Sequence, residues 1–144
     1  MAPTIQVVID CANPAALAPF WAAALHGKVQ DPPDGFASWE AFLTAQGVPE
    51  SEWNSASAIV DPNGVLPRIY FQRVPEPKTV KNRVHLDLNA GGGHDTPAEA
   101  RRGRVAAEVE RLIGIGATRL RDMEQRGEYW VVLQDPEGNE FCVQ

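Results

Sequence analysis

The chain has 144 residues, a formal net charge of −6 and a pI near 5.0, with 44% hydrophobic and 22% charged residues. These values suit one globular domain with its own core. They argue against nucleic acid and anionic membranes as partners, which an acidic surface does not attract. No apolar run reaches the length of a membrane span, and the first residues lead into a strand without a signal-peptide pattern. The two cysteines, Cys11 and Cys142, lie far apart and form no disulfide or zinc framework, so a reduced, cytoplasmic protein is expected.

Ile5, Val7 and Ile9 alternate with Gln6, Val8 and Asp10, the pattern of a strand with one packed face. Asn13 caps a following helix that Pro14 opens, with Leu17, Phe20, Trp21 and Leu25 at helical spacing. Gly27 is expected to stop this helix, and Pro19 to bend it. A short strand over 27–30 leads into a long connection, 31–54, with a helix capped by Ser38 and a further turn near Trp53. Such a connection is either a lid over a binding site or a cover for the sheet edge. Either way Trp39, Phe42 and Trp53 are expected to be buried. Strands follow over 57–60 and 68–74, separated by the turn Asp61-Pro62-Asn63-Gly64 and ended by Pro75 and Pro77.

The second half repeats this order. Val84-His85-Leu86-Asp87-Leu88-Asn89 aligns with Ile5 to Asp10, and Asp135-Pro136-Glu137-Gly138 with the first Asp-Pro turn. The loop 90–95 is glycine-rich but lacks the spacing of a phosphate-binding fingerprint. Thr96 to Glu99 reads as a capping box for a helix with a stripe of Val105, Val109, Leu112 and Ile113. Strands over 118–121, 129–134 and 139–143 complete the half. A strand-helix-three-strand unit present twice indicates a duplicated module, 1–77 and 78–144, within a single α+β domain.

The duplicated module, the strand Arg83 to Leu88 and the closing Asp135-Pro136-Glu137-Gly138-Asn139-Glu140-Phe141 resemble the vicinal oxygen chelate superfamily. Within it the chain is most similar to glyoxalase-like domains of the glyoxalase and bleomycin-resistance group. The resemblance implies two βαβββ modules forming an eight-stranded, cup-shaped half-barrel of the dioxygenase-like type. It also implies a homodimer, and a cavity holding a metal or a small molecule.

Carried onto this chain, the superfamily's metal positions fall at Gln6, Gln72, His85 and Cys142, where metal-dependent members carry a final-strand glutamate; Glu140 flanks Cys142. Two neutral amides and a thiol are poor donors for a divalent cation, so no resident metal is the favoured reading. Any metal would rest on His85 with Gln6, Gln72, and Cys142 or Glu140; Asp87 is a further donor if it lies within reach. The expected ligand cavity comprises Gln6, Val8, Trp39, Phe42, Trp53, Tyr70, Gln72, His85, Asp87 and Cys142. Two functions follow: a binding protein for a small organic molecule, or a metal-dependent lyase, isomerase or dioxygenase using His85. The basic residues Arg68, Arg73, Lys78, Lys81 and Arg83 read as a solvated edge and linker.

Overall fold

The computed structural model describes residues 1–144 and divides into two compact units, Met1–Pro77 and Lys78–Gln144. The first contains strand β1 (Val7–Cys11), helix α1 (Pro14–Ala24), strand β2 (Lys28–Val29), helix α2 (Trp39–Ala45), a 3₁₀ helix (Glu50–Ser55), and strands β3 (Ala56–Val60) and β4 (Ile69–Arg73). The second contains β5 (Asp87–Leu88), α3 (Ala98–Gly114), β6 (Thr118–Gln125), β7 (Glu128–Gln134) and β8 (Glu140–Val143). Their strand orders are the same, β1-β4-β3-β2 and β5-β8-β7-β6. In each, the first and last strands pair in parallel and the others antiparallel. The fold is α+β: two four-stranded mixed sheets with no closed barrel.

In the first unit, α1 starts where the sequence indicates. The Asn13 side chain accepts from the Ala16 N–H at 3.3 Å, and Pro14 opens the helix. Leu17, Phe20 and Trp21 bury against a core that includes Ile59, Ile69 and Phe71. The helix continues through Pro19, whose missing N–H falls on the solvent side. Gly27 is not the stop. His26 takes the left-handed conformation, φ 56°, while Gly27 is needed because a Cβ there would lie 2.8 Å from the Val60 carbonyl oxygen.

The second unit departs from expectation at several points. α3 buries Val105, Val109 and Leu112, but Ile113 is 37% exposed, at the margin of the stripe. The Thr96 capping box does not form: Pro97 is the cap, without a side-chain bond, and Glu99 stands one position too early in the helix to reach back. Between β6 and β7, Arg126 and Gly127 both have positive φ, 53° and 79°, as a two-residue hairpin turn requires. The glycine-rich loop is structural, since the Ala90 and Gly91 N–H groups both donate to the Gln144 carbonyl.

Ile5 and Val84, expected on the packed strand faces, are 79% and 82% exposed. Pairing begins only at Val7 and Asp87, so no ladder orients the residues before them. Each Asp-Pro turn is held by its aspartate. Asp61 accepts the N–H groups of Asn63, Val65 and Leu66, which keep its carboxyl below the usual value. Asp135 accepts those of Glu137 and Asn139.

Candidate functional site

The first unit contains a cavity of about 560 Å³ whose lining is mainly apolar. Trp39 of α2, Trp53 of the 3₁₀ helix and Tyr70 of β4 supply its rings, and Ala56 and Ala58 of β3 keep it open. The local folding explains the placement. Ser38 caps α2 through the Ala41 N–H at 3.1 Å. The Trp39 indole donates to the Gln30 carbonyl at 2.8 Å and the Trp53 indole to the Val48 carbonyl at 3.1 Å. Both polar edges are thus satisfied while the ring faces stay available.

These rings are less buried than expected: Trp39 is 36% exposed, and Phe42 and Trp53 are half-buried. They edge a cavity instead of filling a core. Phe42 lies outside the lining and packs edge-on against Trp39 and Phe36, at ring separations of 5.9 and 5.1 Å.

Arg68, immediately before β4, also lines this cavity. Its Nε donates to the Gln30 side chain at 2.7 Å and its Nη1 to Gln6 at 2.9 Å, and the guanidinium stands 5.3 Å from the centre of the Tyr70 ring. Gln30 therefore holds both the arginine, through its side chain, and Trp39, through its carbonyl. Sequence reasoning placed Arg68 on a solvated edge. The available signal was alternation, which puts Arg68, Tyr70 and Gln72 on one strand face.

A second cavity, about 370 Å³, lies within the second unit and is lined by His85, Asp87, Cys142, Lys81, Arg121 and Trp130 among others. The donor atoms of His85, Asp87 and Cys142 lie within 4.8 Å of one another, with His85 Nε2 3.4 Å from Asp87 Oδ1. Burial, and then the Asp87 carboxylate, push the Cys142 thiol above its ordinary value, so it stays protonated at neutral pH. Glu140 is not a free donor. It pairs with Lys78 at 3.1 Å and accepts the Asn82 N–H. Although burial works to raise it, those partners hold its carboxyl below the usual value.

The structure thus divides the expected cavity residues. Trp39, Trp53 and Tyr70 line the first cavity and His85, Asp87 and Cys142 the second, whereas Gln6, Val8, Phe42 and Gln72 line neither. The ladder also corrects a register. Val8 is level with Tyr70 and Asp87 with Cys142, while Gln72 is level with Asp10. The counterpart of Cys142 is Tyr70, two residues before Gln72. The slip arises in the turn, since Tyr70 lies nine residues after Asp61 and Cys142 seven after Asp135.

The repeated strand order, the parallel closing strand of each unit and the Asp-Pro turns coincide with one sequence family. The profile of the glyoxalase-like domain matches residues 6–144. The chain belongs to the glyoxalase-like domain family, within the vicinal oxygen chelate group. A search of curated proteins finds no match. Solved structures similar to this glyoxalase-like domain include a glyoxalase/bleomycin resistance protein/dioxygenase family enzyme from Burkholderia phytofirmans. It has 18% identity and a TM-score of 0.59, with 96% of this chain and 94% of that one covered. A hypothetical protein from Staphylococcus aureus has 14% identity and a TM-score of 0.59, with 99% and 96% covered. A point mutant of the fosfomycin resistance protein FosX from Listeria monocytogenes, solved with Mn(II) and a dihydroxypropylphosphonic acid, has 9% identity and a TM-score of 0.61, with 100% and 90% covered. At these identities the likeness is one of fold.

Proposed function

We propose that this glyoxalase-like domain binds a small organic molecule in the cavity of its first unit. The observation that carries the reading is the cavity itself: about 560 Å³, apolar, walled by Trp39, Trp53 and Tyr70, with a few polar groups at fixed points. Its volume and lining are those of small-molecule sites in general. The four tryptophans provide the test, because they are distributed between the core (Trp21), the first cavity (Trp39, Trp53) and the second (Trp130). In ¹H–¹⁵N spectra, titration with small ring compounds such as 2-naphthoate is expected to shift the Trp39 and Trp53 indole signals and leave Trp21 in place. Shifts confined to Trp130 would move the site to the second unit and sink the proposal.

A second reading rests on the proximity of His85, Asp87 and Cys142, a nitrogen, an oxygen and a sulfur donor such as zinc accepts. The set does not fit the hard divalent cation that the fold family implies. Glu140 is held by Lys78 and Asn82, the Cys142 thiol is kept protonated, and Lys81 and Arg121 add positive charge to the same cavity. Purified protein is expected to carry well below one equivalent of manganese, iron, nickel or zinc by elemental analysis. Stoichiometric zinc that survives dialysis and disappears in His85→Ala would establish the second reading.

A further inference from the structure

The first cavity contains a cation that no carboxylate neutralises. A guanidinium has five N–H donors; Gln30 and Gln6 take two of Arg68's, both as neutral acceptors. No acidic group lies within ion-pair distance of it. Glu52, the one carboxylate lining the same cavity, lies 3.7 Å from Arg73 Nη2 and accepts from the Ser55 hydroxyl. Arg68 is also half-buried, so its charge is only partly hydrated. A fixed, half-buried guanidinium with three unused donors beside aromatic rings is complementary to a planar oxyanion on an apolar body.

We infer that the cavity of the first unit selects ring compounds bearing a carboxylate, with Arg68 taking the carboxylate and Trp39, Trp53 and Tyr70 the ring. This rests on the proposed binding function and adds the charge class of the ligand. Gln30 and Gln6 are positioning residues, holding the guanidinium at Nε and Nη1. Because Gln30 also fixes Trp39, the spacing between cation and ring wall is set within one strand end.

The test compares 2-naphthoate with 2-naphthamide, which has nearly the same shape and no charge, by calorimetry on the full chain. Wild-type protein is expected to bind the carboxylate at least about tenfold more tightly, the usual gain from hydrogen bonds to a charged group. Arg68→Met is expected to abolish that preference by lowering affinity for the carboxylate more than affinity for the amide, and Arg68→Lys to retain part of it, as a point charge without the planar fork. Equal affinity of wild-type protein for the two probes, each shifting the Trp39 and Trp53 signals, overturns the anion inference and leaves the binding function standing. That comparison needs no variant, so misfolding of Arg68→Met does not protect the inference. Failure of both probes to shift those signals at millimolar concentration overturns the binding function and this inference with it.

Discussion

Phe71→Ala is expected to destabilise the first unit by about 3–5 kcal/mol, the usual cost of truncating a buried aromatic. Phe71 is 0% exposed and lies on β4, an inner strand of the sheet, level with Ile9 of β1 and Ser57 of β3. With Ile69 its ring belongs to the sheet face that packs on α1, which buries Leu17 and Trp21. Tyr70, the preceding residue, points the other way and lines the cavity. The truncation thus removes core volume while sparing the cavity's own side chains. Urea unfolding followed by tryptophan fluorescence measures the loss. Gln72→Ala, an exposed site on the same strand, is the control and is expected within about 0.5 kcal/mol of wild type. A loss below about 1 kcal/mol for Phe71→Ala would contradict the assignment of that face to the core.

Much of this architecture is legible in the residues because it depends on local pattern. Alternation from Gln6 to Asp10 separates the half-buried Val7 and Ile9 from the exposed Gln6, Val8 and Asp10, as the structure shows. Asn13-Pro14 and Ser38 start their helices for reasons contained within one turn of chain. The two Asp-Pro turns mark corresponding points of the repeat, and the aspartates hold both loops through backbone N–H groups.

The candidate site was less legible, because its geometry is set by long-range contacts. Alternation assigns a residue to a face but not to a level along the strand. Two additional residues after Asp61 therefore moved the counterpart of Cys142 from Gln72 to Tyr70 without changing face. Arg68 looks like part of a solvated basic run, because its partners Gln30 and Gln6 lie 38 and 62 positions away. Trp39, Phe42 and Trp53 were expected to be buried since large rings generally are. At a cavity rim the same rings remain partly open, with their polar edges bonded to backbone carbonyls for Trp39 and Trp53. Hydrophobicity alone does not distinguish a core ring from a rim ring.

Filling the first cavity and measuring binding tests the proposed site most directly. Ala56 lines it from β3, level with Gln72 on β4, and a tryptophan there occupies space that the ligand ring needs. An aromatic ring buries roughly 150 Å², which at about 25 cal/mol per Å² is worth close to 4 kcal/mol, so displacing it weakens binding by roughly a hundredfold or more. Val48→Trp fills the same space from another wall and is the alternative should Ala56→Trp not fold. Met123→Trp, in the second cavity, is the matched control. In calorimetric titrations with 2-naphthoate, Ala56→Trp is expected to lose binding and Met123→Trp to keep it. Wild-type affinity in Ala56→Trp, or loss of binding in Met123→Trp alone, would contradict the proposed site.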